Sequence, residues 1–116
     1  MRALLICVLV LTSSTAFARP PPGASGRYTA WFRSLTIPGT SLSCCSTADC
    51  RPVGFRTRNG HYEAFIDKSQ FTDGPNEWVR VPESKIIRDK PNPTGSAQAC
   101  WTRWGSVLCF VLPSMS

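Results

Sequence analysis

The sequence has little of what most enzymes are built on. It holds one histidine, His61, in 116 residues. A Ser-His-Asp or Cys-His centre would have to be built on that residue. His61 adjoins a tight turn on the polar face of a hairpin, and no G-x-S-x-G motif is present. No C-x-x-C pair occurs, which removes the usual dithiol redox motif. No glycine-rich loop of the phosphate-cradling kind occurs either. Acidic residues number seven, and nothing fixes any two of Asp67, Asp73, Glu77 and Glu83 as an acid/base couple. Like charges never run five or six together, so no nucleic-acid-binding tail is expected. No apolar run approaches the roughly 20 residues that a spanning helix needs. These absences predict a non-enzymatic chain with no catalytic residue, no cofactor, no bound metal and no nucleic-acid partner, and one that does not span a membrane.

What is present begins with an address. Arg2, the apolar run from Ala3 to Leu11 and the small-residue site Ala16-Phe17-Ala18 form the pattern of a secretory signal peptide over residues 1–18. Arg19 to Gly26, "RPPPGASG", reads as an extended Pro/Gly-rich tether over 19–26. Residues 27–113 are then expected to form one small domain. Cleavage near Ala18 removes Cys7 and leaves Cys44, Cys45, Cys50, Cys100 and Cys109. Cysteine enrichment after a signal peptide predicts disulfides in a secreted or periplasmic setting. An odd number of cysteines leaves one thiol free, capped, or linking two chains as a disulfide-bonded dimer. The formal charge of +6 is scattered along the chain. It suits a solvated surface, with a weak attraction to anionic envelope polymers.

Local patterns predict mainly β structure. Tyr28, Trp31, Phe32 and Leu35 fall at i, i+3, i+4 and i+7, the apolar stripe of one N-terminal helix docking on a core. Ser25 is its expected N-cap, and Pro38-Gly39 is expected to stop it. Ser46 to Asp49 reads as a capped helical turn, with Pro52 launching a strand. In "PVGFRTRNGHYEAFID", Asn59-Gly60 is a type I′ hairpin signal. It sets Thr57 against Tyr62, Arg56 against Glu63, Phe55 against Ala64 and Val53 against Ile66. "EWVRV" reads as a short strand closed by Pro82, and Lys85-Ile86-Ile87 as another. "QACWTRWGSVLCFVLP" reads as a second hairpin, with Trp104-Gly105 as its loop. The expected fold is α+β: one N-terminal helix on a small twisted antiparallel sheet or partial SH3-like barrel, stapled by disulfides.

That second register sets Cys100 opposite Cys109 in a close, non-hydrogen-bonded pair, within disulfide range. It favours a Cys100–Cys109 bond. The rival is that each of these cysteines reaches back to the 44–50 segment, which would restrict the unfolded chain more. Adjacent Cys44 and Cys45 are poorly placed to bond each other. If the odd thiol lies at the start of the Ser46 turn, its pKa is expected to be lowered. The spacings Cys45-x4-Cys50 and Cys100-x8-Cys109 fit a zinc site only loosely, and the compartment favours disulfides. Among the four tryptophans, Trp101 and Trp104 flank a hairpin tip with Arg103. These three form the candidate binding surface.

A helix with "WF" and "SL", then "SCCSTADCRPV", a hairpin, "WVRVP", "PTG" and a terminal "CW…VLCFVLP" resemble a family of small, cysteine-containing, secreted bacterial proteins of unknown function. The resemblance spans roughly residues 28 to 113. It implies a secreted or envelope location and a disulfide framework, and it implies no activity. "WVRVP" after a hairpin also resembles the later strands of an SH3-like barrel, as bacterial cell-wall-targeting modules use. Two functions follow as expectations. One is a non-enzymatic binding module of the cell envelope, contacting an envelope polymer or another envelope protein. The other is a periplasmic thiol-active or metal-binding protein using Cys44, Cys45 and Cys50.

Overall fold

The computed structural model describes residues 26–46 and 48–114. The leader at 1–18, nearly all of the tether and the Ser25 cap lie outside them. A 3-10 turn, Gly26–Tyr28, leads into α1, Thr29–Ser34. Six strands follow: β1 Ala48–Pro52, β2 Phe55–Arg58, β3 His61–Ile66, β4 Glu77–Arg80, β5 Gln98–Thr102 and β6 Val107–Val111. They form two antiparallel three-stranded sheets, ordered β1-β5-β6 and β2-β3-β4. Mainly β structure with one short helix and two disulfides is thus the architecture.

The β2–β3 hairpin follows its turn. Asn59 and Gly60 take φ of 51° and 78°, the left-handed pair that a type I′ turn requires. The pairs Phe55–Ala64, Arg56–Glu63 and Thr57–Tyr62 form as expected. The expected Val53–Ile66 pair does not: β2 begins at Phe55, because the Val53 N–H is held by Ala97 O on the other sheet. Ala64 and Ile66 are buried and Tyr62 packs against the core. Arg56 and Glu63 meet on the opposite face at 2.7 Å.

β1 is a departure. The segment expected to hold a helical turn makes its turn at residues 44–46 and is already extended at Ala48. Pairing with β5 over five residues outweighs the local capping signal. Pro52 ends β1 rather than launching a strand. Its missing N–H costs nothing there, because β1 is an edge strand. The Val53 N–H still donates to Ala97 O, and Gly54 O accepts from the Phe65 N–H. The chain therefore crosses from one sheet to the other at Gly54 almost without a break. The strand expected at Lys85–Ile87 is reduced to a bridge. Lys85 closes a 3-10 turn, Glu83–Lys85, and Ile86 pairs in parallel with Phe110.

β5 is buried along its whole length, so it has a core on each side. Ala99, Trp101, Val107 and Phe110 face one side, with Ala64, Ile66, Phe71, Val81 and Ile86. Cys100, Cys109 and Val111 face the other, with Phe32, Leu35, Cys44, Cys50 and Ile87. A bulge makes this division possible. The register runs Cys100–Cys109 and then Trp101–Val107, so Leu108 is an extra residue. It turns Val107 to the face of Trp101, away from Cys109.

α1 docks through Phe32, with Leu35 buried just past its end, and the Trp31 indole N–H donates to Pro91 O at 2.7 Å. The helix ends at Ser34, and Leu35 is already extended. Pro38-Gly39 therefore does not stop the helix but makes the next turn. Gly39 has φ of 79°, and the Thr40 N–H donates to Ile37 O at 2.9 Å, the arrangement that Pro-Gly favours in a type II turn. The chain folds back, and the Cys44 N–H reaches Leu35 O at 2.9 Å. That return lays Cys44 and Cys45 over the sulfur-bearing face of β1-β5-β6.

Candidate functional site

The sulfur atoms converge on this face. Cys44 bonds Cys109 with Cα atoms 6.0 Å apart, and Cys50 bonds Cys100 with Cα atoms 4.0 Å apart. The expected Cys100–Cys109 disulfide does not form, although those two residues are register partners as anticipated. The reason lies in β1. Cys50 faces Cys100 across β1–β5 at the close spacing of a non-hydrogen-bonded pair. The backbone groups of Cys100 then point the other way, toward β6. Cys100–Cys109 becomes the wider, hydrogen-bonded pair, and the sulfur of Cys100 is taken by the nearer partner. Cys109 is covered by the returning loop and bonds Cys44. The pattern is the rival one, in which both C-terminal cysteines reach back to the 44–50 segment.

Cys45 is the free thiol among the described cysteines. Its Sγ stands 2.9 Å from Cys50 Sγ and 3.5 Å from Phe32 O, to which it donates. The expectation of a lowered pKa is reversed. No helix begins at Ser46, so no dipole favours the thiolate. Burial pushes the thiol up to about 11, against a smaller lowering by the Arg51 guanidinium. Cys45, Cys50 and Cys100 place three sulfurs within 4.8 Å of one another. With Cys50 and Cys100 bonded, that cluster offers one thiol rather than three thiolates. The set Cys44, Cys45 and Cys50 is likewise divided: only Cys45 carries a thiol.

A cleft of about 210 Å³ opens beside Cys45, lined also by Asp49, Thr72, Asp73, Trp101 and Arg103. The candidate surface Trp101, Arg103 and Trp104 is split by the fold. Trp101 is only 6% exposed and belongs to the core, lining the cleft from there. Its indole N–H has no acceptor among the described residues. Trp104 is 75% exposed, and Arg103 is exposed beside it. The expected two-residue loop is a three-residue one, Arg103 to Gly105. The Thr102 N–H donates to Ser106 O and the Gly105 N–H to Thr102 O, both at 3.0 Å. Gly105 takes φ of 82°, as three-residue hairpin loops require at their last position. Trp104 is thus held out on a hydrogen-bonded turn.

His61 lies 3.8 Å from Glu63 and touches neither the cleft nor the sulfur cluster. Two features escaped the sequence reading. Arg56 stacks over Trp78 at 4.2 Å, with Phe65 against the same indole at 5.3 Å. An aromatic two residues into β4 facing an arginine two strands away was the signal. Asn92 is a buried hub. Its amide donates to Ser96 O and Leu112 O, and its carbonyl oxygen accepts from the Thr94 N–H and hydroxyl. The "NPT" spelling was the local signal for that turn. Among the described residues no helix is long and apolar enough to cross a membrane. No protein-family model, curated protein or solved structure matches the chain.

Proposed function

We propose that this chain is a secreted or periplasmic, non-enzymatic binding module of the bacterial cell envelope, presenting Trp104 and Arg103 to an envelope polymer. The observation that carries the reading is Trp104, 75% exposed on a loop held by its own hydrogen bonds. Leaving so large an apolar side chain in water contributes nothing to folding, whereas a rigid aromatic beside a cation is a common binding anchor. Two disulfides support an oxidising compartment. The likeness to small secreted bacterial proteins belongs to this proposal. So does the partial SH3-like barrel of cell-wall-targeting modules, supported by the nearly continuous passage at Gly54 and by the Ile86–Phe110 bridge. Cys45 is the thiol through which a disulfide-linked dimer would form.

Peptidoglycan cosedimentation tests the reading. The protein is expected to pellet with purified sacculi, and sacculi are expected to reduce acrylamide quenching of its tryptophan fluorescence by covering Trp104. Trp104→Ala should cut the bound fraction on the order of tenfold, as loss of an anchor residue does. Equal binding by Trp104→Ala, or no binding by either protein, contradicts the proposal.

A further inference from the structure

A free thiol in contact with a disulfide is a reactive arrangement whatever else the protein does. Cys45 Sγ lies 2.9 Å from Cys50 Sγ, closer than two non-bonded sulfurs ordinarily stand, and Cys50 is already bonded to Cys100. All three sulfurs lie within 4.8 Å of one another, and Cys44 and Cys109 are not part of that group. We propose that Cys45, Cys50 and Cys100 form an internal thiol–disulfide exchange site in which Cys50 is the shared partner.

The step balances within the chain. Cys45 gives its proton to solvent, and the thiolate attacks Cys50 Sγ. A Cys45–Cys50 bond forms as the Cys50–Cys100 bond breaks. The electron pair leaves on Cys100 Sγ, which takes up a proton. One thiol and one disulfide exist before and after, so no external oxidant or reductant enters.

The two isomers differ in what they expose. With Cys50 on Cys100, edge strand β1 is tied to β5 and the thiol is on half-buried Cys45, which lines the cleft. With Cys50 on Cys45, the thiol is on Cys100, which is 1% exposed, and β1 is held to β5 by backbone pairing alone. Cys44–Cys109 keeps the α1 segment on the sheet in both. Exchange therefore hides the thiol and loosens the strand that carries Asp49 at the cleft. Burial of Cys45 keeps the thiolate scarce near neutrality, which slows interconversion and lets the isomers be separated.

Trypsin reads the two states directly. It leaves the cysteines on segments 34–56, 89–103 and 104–116, since Arg51 and Lys90 precede proline. The oxidised protein is incubated at mildly alkaline pH and quenched in acid guanidinium. Exchange stops there for want of thiolate. It is then alkylated with N-ethylmaleimide and digested without reduction. Exchange predicts that some 89–103 is released as a single peptide with Cys100 alkylated, while 34–56 stays joined to 104–116. Cys45→Ser should abolish that release. Cys100→Ser, oxidised with glutathione disulfide before the quench, should close a Cys45–Cys50 bond and show no alkylated thiol. If wild-type 89–103 is found only in disulfide linkage, with Cys45 alone alkylated, the proposal is overturned. It is equally overturned if Cys45→Ser releases as much 89–103 as wild type, or if Cys100→Ser shows two alkylated thiols. The wild-type measurement decides the matter if a variant fails to fold.

Discussion

The two sheets are held together by different means. β2-β3-β4 is built from neighbours in sequence: a type I′ turn, a cross-strand ion pair and an aromatic cluster. Much of it faces water, and Phe55 and Trp78 remain more than one-third exposed. β1-β5-β6 joins segments about half the chain apart, with sequence separations of 65 and 50 at its two disulfides. Its central strand is buried on both faces. The local sheet gains its order from turn chemistry. The non-local sheet must close long loops first, and its covalent ties reduce that cost by restricting the unfolded chain.

Four perturbations probe this contrast. The largest acts where the sheets meet. Phe110 is fully buried, lies 6.2 Å from Tyr62 of the local sheet, and pairs with Ile86. Phe110→Ala should cost about 3–5 kcal/mol in urea unfolding, the usual loss for a buried aromatic. Next is the pair Cys44→Ser with Cys109→Ser, which removes one tie without leaving an odd thiol. With Cys50–Cys100 intact, the loop closed through both bonds is only about 15 residues, so the expected loss is about 3 kcal/mol. Both changes should lower amide-exchange protection in β5 and β6 more than in the β2–β3 hairpin. Gly60→Ala acts on the other side of the comparison. It places a side chain at φ of 78° with open space around it. The expected loss is about 1 kcal/mol from backbone strain alone, seen as a lower urea midpoint with an unchanged slope.

The smallest effect is electrostatic. The Arg56 hydrogen bond holds the Glu63 carboxyl below its ordinary value of 4.5. A depressed carboxylate stabilises the fold above its unfolded pKa. That contribution is lost as pH falls from about 4.5 through the folded value. Carboxyl NMR titration should place Glu63 below 4.5, and Glu63→Gln should flatten the acid limb of stability. Cys45 has the opposite sign: its folded thiol is raised from 9.0 to about 11. Its contribution is full below 9.0 and disappears between 9.0 and about 11 as unfolding releases the proton.

The same contrast governs what the sequence could reveal. Asn59-Gly60 carries the β2–β3 register in two adjacent residues, and the pairs from Phe55–Ala64 to the turn formed as read, while Val53 was drawn away to Ala97 of the other sheet. The register partners Cys100 and Cys109 were also legible, because their spacing about a turn is local information. The disulfides were not, since the choice depended on β1. Nothing in "STADCRP" spells a strand: Ser46 to Asp49 reads as a cap and Pro52 as a start. β1 exists because β5 supplies its pairing partner, and that partner lies 50 residues away. With β1 unseen, Cys100 had only Cys109 within view. The thiol pKa failed for the same reason, since its sign depended on whether a helix or a packed loop surrounds Cys45.

The most direct test of the account is the non-reducing peptide map of the oxidised protein. It should show segment 104–116 joined to 34–56, because Cys109 is tied to Cys44 whichever partner Cys50 takes. Segment 104–116 joined to 89–103, with 34–56 released from both, would mean that Cys100 and Cys109 bond each other and that the two sheets are not held by different means.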